Sequence, residues 1–117
     1  MTLDELRALL VAKLAVTEET PFGPDALVYK VSGKMFALVG WNTRPLRLSL
    51  KCAPAHAQAL RAEFPAIEAG YHLDKRHWIT VTLDDSIPAP LLLDLIDELY
   101  TLVVKKLPKS KQGDLLT

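Results

Sequence analysis

The sequence predicts an α+β domain, a two-layer sandwich in the order α-β(3)-α-β(2)-α with its helices stacked on one face of a mainly antiparallel sheet. Three observations lead there. Leucines recur at helical spacing near both ends of the chain, as Leu3, Leu6 and Leu10 and again as Leu92, Leu95, Leu99 and Leu102. Between them, Leu46, Leu48 and Leu50 alternate with Arg47, Ser49 and Lys51, and Ile79, Val81 and Leu83 alternate with Trp78, Thr80 and Thr82. The breaks between neighbouring strands are of hairpin length, which favours antiparallel pairing.

Thr2 and Glu5 form a capping-box signature, and Leu3, Leu6, Leu10 and Leu14 then mark an amphipathic helix to about residue 15. From Thr17 to Asp25 the pattern breaks at Pro21, Gly23 and Pro24, and Phe22 is expected to pin this loop to the core. Leu27 to Val31 and Lys34 to Trp41 read as a hairpin around Ser32-Gly33. Asn42 to Pro45 turns the chain into the strand Leu46–Lys51. Pro54 suits the first turn of a second helix, which Pro65 ends. Ile67 to Leu73 and His77 to Leu83 read as two strands with Asp74, Lys75 and Arg76 as their turn. Pro88 or Pro90 opens the last helix, and Pro108 stops it. Residues 1–108 thus form one domain, and 109–117 are expected to be a flexible C-terminal tail.

At 117 residues and 50% apolar, the chain suits a single folded domain rather than a disordered one. One cysteine, Cys52, excludes an internal disulfide and fits a reducing compartment. There is no signal-peptide pattern at the start and no uncharged apolar run of bilayer length, so the expected location is cytoplasmic, with no membrane partner. Net charge is zero, but residues 26–62 carry six basic and no acidic side chains, whereas residues 63–104 carry two basic and eight acidic ones. Such asymmetry either steers an anionic partner or is neutralised across the fold.

The stretch Gly70 to Trp78 concentrates polar, aromatic and cationic groups beyond what a core needs. If the aliphatics of the alternating strands face the helices, the opposite face carries Arg47, Ser49, Lys51, Trp78, Thr80 and Thr82, and is expected to stand open to solvent. Cations beside an aromatic can hold nucleic acid through phosphate contacts and stacking. Alternatively, Trp78 packs on the stems of Arg47 and Lys51 and shields the sheet. His72 and His77 flank a turn containing Asp74, but there is no cysteine–histidine cluster, and no metal or other cofactor is expected. Cys52 has apolar neighbours and reads as a small buried hydrophobe, not a nucleophile. No glycine-rich elbow, phosphate loop or dinucleotide fingerprint occurs, so no catalytic residue and no enzyme are expected.

The chain resembles the MmcQ/YjbR family of small bacterial proteins, often labelled DNA-binding. The resemblance runs over residues 3–109. It is carried by Pro21-Phe22-Gly23, Val28 to Val31, Gly33 to Ala37, Leu50-Lys51-Cys52 with Pro54, Gly70 to Trp78, and Leu95-Ile96-Asp97 with Tyr100. It implies a YjbR-like fold similar to that of type III secretion chaperones. It also implies a nucleic-acid- or anion-binding set of Lys34, Lys51, Tyr71, His72, Lys75, Arg76, His77 and Trp78, to which the strand pattern adds Arg47. Three departures stand out: Ala53 replaces a common Asp, removing a helix N-cap side chain; Asp74 stands where Asn is common and sets a negative charge beside Lys75 and Arg76; and Ile79 also stands where Asn is common.

The function expected is that of a non-enzymatic binding protein whose basic and aromatic sheet face holds DNA. The alternatives are a protein-interaction or chaperone-like module, favoured by the acidic run from residue 84 to 98, and a binder of a small anion near His72, Lys75 and Trp78.

Overall fold

The computed structural model describes residues 1–70 and 73–116. Four helices and six strands follow one another as α1 (Leu3–Val11), β1 (Val16–Glu19), β2 (Ala26–Val31), β3 (Lys34–Gly40), β4 (Arg47–Lys51), α2 (Pro54–Glu63), β5 (Ile67–Ala69), β6 (Trp78–Thr82), α3 (Ala89–Lys105) and α4 (Lys109–Gln112). The strands form one sheet in the order β1-β2-β3-β4-β6-β5, and every neighbouring pair is antiparallel. This is the expected α+β sandwich with one strand more than the sequence pattern announces.

The extra strand is β1. Val16-Thr17-Glu18-Glu19 is too short and too charged to stand out as a strand, and the sequence reading takes Thr17 onward as loop. It extends because β2 offers a free edge, with Val16 opposite Val31 and Glu19 opposite Val28. Its glutamates suit an edge position, where charge discourages pairing with another chain.

Strand register decides the two faces. Leu48 stands between Val39 and Val81, and Leu50 between Ala37 and Ile79. With Tyr29 and Ile67 these side chains are buried against Leu6 and Leu10 of α1, Ala57 of α2 and the stripe Leu92, Leu95, Ile96, Leu99 and Val103 of α3. Burial of that continuous apolar layer is the main favourable term holding the two layers together.

Local signals place the ends. Thr2 and Glu5 form the full capping box on α1. Ser32 and Gly33 both take positive φ, as a two-residue type I′ hairpin requires. Pro54 opens α2, whose cap Ala53 makes no side-chain hydrogen bond.

Several boundaries differ from expectation. α1 ends at Val11 because the chain must turn back into β1. Leu14 therefore leaves the stripe and is 56% exposed, while its carbonyl accepts a hydrogen bond from the Tyr100 hydroxyl at 2.6 Å. β5 stops at Ala69 rather than Leu73. Phe22, expected to pin its loop, is 65% exposed. Residues 109–116 follow helical turns rather than a plain tail: Gln112 Nε2 donates to the carbonyls of Lys105 and Leu107, and Leu115 packs on the core.

Candidate nucleic-acid interface

Gly70 and Trp78 tie the two ends of the signature stretch together. The Gly70 N–H donates to the Trp78 carbonyl at 2.9 Å, and a Cβ placed on Gly70 would stand 2.6 Å from the Trp78 Cβ. Cross-strand Cβ atoms normally stand about 4.5–5.5 Å apart, so only a residue without a side chain allows this approach. Tyr71 and His72, both expected to contribute to binding, lie outside the described residues.

Asp74 shapes the following turn. One carboxylate oxygen accepts the Arg76 backbone N–H at 2.9 Å, and the other lies 3.1 Å from His77 Nδ1. These contacts, the Arg76 N–H foremost, hold the Asp74 carboxyl below the usual aspartate range. The acid is thus committed to the turn itself, and the turn leaves Lys75 and Arg76 exposed.

At the end of the sheet where β4 finishes and β6 begins, Lys51 stands opposite Trp78. The Lys51 ammonium lies 5.6 Å from the Trp78 ring centroid, within cation–π range. Trp78 is only 6% exposed, so it acts as the wall of a depression and not as an open stacking platform. That depression, about 380 Å3, is completed by Lys34, Met35, Val103 and Lys106. A second, about 540 Å3, gathers Lys75 and Arg76 with Arg61 of α2. The two belong to one end of the molecule: residues 75–77 lead directly into Trp78, and the Cys52 N–H, one residue beyond Lys51, donates to the His77 carbonyl at 2.8 Å.

Charge pairing separates this end from the rest. Arg7 pairs with Glu18, Lys13 with Asp97, and Lys30 with Glu19. Among the described residues, no carboxylate lies within ion-pair distance of Lys34, Lys51, Arg61, Lys75, Arg76 or Lys106. Arg61 lies in α2 and Lys106 caps the C-terminus of α3, and the strand-based reading places neither in the site. Their only signal in the sequence is a basic residue near the C-terminal end of each helical pattern.

Two expectations are corrected. The face opposite the helices is not an open basic surface: Val28 is fully buried, and Ser49 and Thr80 are 3% and 4% exposed, their hydroxyls hydrogen-bonded to each other at 2.8 Å. Arg47 does not join the lysines. It begins the strand that Lys51 ends, about 13 Å away at the rise of an extended chain. It lines a different cleft, of about 430 Å3, between Phe22 on one side and Leu73 on the other.

Cys52 is 1% exposed, and burial pushes its thiol up to about 11. The neutral thiol is favoured by the fold, so its contribution to stability is complete below the unfolded-state pKa near 9 and is lost as pH rises toward 11. We expect native protein at pH 8 to react with a thiol-specific disulfide reagent at least ~100-fold more slowly than urea-unfolded protein. Equal rates would show that Cys52 is accessible.

The YjbR family model matches residues 11–102. The chain belongs to the YjbR family. Two Escherichia coli relatives bear names that describe them as uncharacterized: YjbR of strain K12 is 33% identical over 96% of this chain and 95% of its own length, and YbdF of O157:H7 is 38% identical over 79% and 75%. A crystal structure of a Deinococcus radiodurans protein is similar at 42% identity and a TM-score of 0.89, covering 97% of this chain and 87% of that one. Another, from Pseudomonas syringae, gives a TM-score of 0.73 at 28% identity, with 87% and 98% covered. In this YjbR-family chain, no described helix is long and apolar enough to cross a membrane.

Proposed function

We propose that this YjbR-family protein is a non-enzymatic DNA-binding protein whose contact surface is the basic end of the sheet rather than its face. The observation that carries the reading is the gathering of Lys34, Lys51, Lys106, Arg61, Lys75 and Arg76 there, with no carboxylate in ion-pair range among the described residues. Cations without a carboxylate partner are available to replace the counterions of a phosphate backbone. Three lysines around a walled tryptophan offer charge without base-edge readout, which favours binding that is weakly dependent on sequence. The buried, neutral Cys52 supports a non-catalytic reading.

The protein-interaction alternative draws less support. Part of its acidic run meets internal cations: Asp85 faces the N-terminal amine at 3.7 Å and Asp97 pairs with Lys13.

Fluorescence anisotropy with a labelled duplex, run across a salt series, tests the proposal. Wild type should bind with a Kd of roughly 10⁻⁴–10⁻⁶ M, weakening steeply with salt. The Lys75→Ala/Arg76→Ala variant should lose affinity at low salt, and its log–log salt slope should fall by about 2. A wild-type protein that does not bind at low salt, or a variant with an unchanged slope, would sink the idea. Equal competition by inorganic phosphate at matched ionic strength would instead identify a small-anion site.

A further inference from the structure

We propose that the cleft on the sheet face opposite the helices binds a small amphipathic monoanion, an apolar ring system carrying one acidic group. This site is separate from the basic end and does not depend on the DNA reading. Its volume, about 430 Å3, falls within the range of small-molecule sites. Depth comes from Gly40, which contributes no side chain to the floor beside Leu38. The remaining floor is self-satisfied, because the Ser49 and Thr80 hydroxyls bond to each other at 2.8 Å. Such a floor suits an apolar body better than a polar one.

The walls fit the same class of ligand. Phe22 is 65% exposed on the β1–β2 loop, and Leu73, half-buried, faces the cleft from the β5–β6 loop. A flat apolar ligand between them would remove that exposed aromatic surface from water. Charge then selects the head group. Among the described residues, the charged ones lining the cleft are Arg47 and Asp25, both exposed. Arg47 suits one carboxylate or sulfonate, while Asp25 opposes a second negative charge and so disfavours phosphates and nucleic acid.

The test titrates the full chain with anilinonaphthalenesulfonate, a monoanionic probe, and with phenylnaphthylamine, its uncharged counterpart. Saturable binding of both is expected. A Cβ on Gly40 meets nothing closer than the Arg47 Cβ at 3.9 Å, so Gly40→Val should fold while narrowing the cleft. It should weaken both probes by at least about tenfold. Phe22→Ala, on an exposed loop, removes a wall without touching the sheet and should also weaken both. Arg47→Met should weaken only the sulfonate, by about three- to tenfold. Lys75→Ala/Arg76→Ala should leave both affinities unchanged. The proposal is overturned by an absence of saturable binding, by wild-type affinity in both cleft variants, by Arg47→Met acting equally on both probes, or by loss of sulfonate binding in the Lys75/Arg76 variant.

Discussion

Phe36→Ala is expected to remove about 3–5 kcal/mol of stability, a large share of the roughly 5–15 kcal/mol that holds a domain of this kind together. Phe36 is fully buried, and its ring meets Tyr100 of α3 edge to face, with centroids 5.6 Å apart and planes at 82°. The loss combines the burial of an aromatic side chain, the ring pair and the cavity left between the layers. Urea unfolding followed by circular dichroism reads it as a fall in midpoint at nearly constant slope. Phe36→Leu, which keeps most of the apolar volume, should lose much less. A Phe36→Ala cost below about 1 kcal/mol would mean that the layers close over the gap or that the ring is not at their interface.

Phe36 owes its position to a register shift that periodicity does not reveal. Strict alternation with Ala37 and Val39 inward would turn Phe36 to the other face. A bulge intervenes between Tyr29 and Lys30, with Tyr29 opposite Ala37 but Lys30 opposite Met35. The added residue allows Phe36 and Ala37 both to be fully buried.

Gly70→Ala is the second large effect. The new methyl would stand 2.6 Å from the Trp78 Cβ and 3.3 Å from the Leu73 Cβ and the Trp78 carbonyl oxygen. None of these is the far end of a flexible side chain, so backbone must move. Overpacking of this kind costs about 1–3 kcal/mol, which lowers Tm by roughly 5–15 °C in a domain of this size. Movement there also shifts the turn that carries Lys75 and Arg76, so the DNA-binding proposal expects affinity at low salt to fall alongside stability. Gly40→Ala is the control: its methyl meets only ordinary contacts, and Tm should be unchanged or slightly raised. Equal Tm values for Gly70→Ala and wild type would show that β5 and β6 separate readily at this point.

Element type and order were legible because they rest on short-range chemistry. The capping box at Thr2, the Ser32-Gly33 turn, Pro54 at a helix start and the alternation of Leu46 to Lys51 are each set by neighbours within a few residues. The family signature was legible for the same reason, since Gly70 to Trp78 is one continuous run. The candidate site was legible only in part. Lys34, Lys51 and Trp78 do come together, and Lys75 and Arg76 lie at the same end, but Arg47 belongs to another cleft, and nothing in the pattern places Lys106 and Arg61 beside them. Tyr71 and His72 lie outside the described residues.

By itself, the sequence determined three of the four helices, five of the six strands, the inward face of the sheet and the family. Tertiary structure alone decided that Val16–Glu19 becomes an edge strand, that a bulge admits Phe36 to the core, and that the second sheet face closes into an apolar cleft while cations with no carboxylate partner among the described residues collect at its end. The physical reason is distance along the chain. Periodicity and capping act over a few residues, whereas the edge pairing of β1 with β2, the pairing of Lys13 with Asp97 and the approach of Lys106 to Lys51 join separate elements, whose meeting is set by how the whole sheet packs.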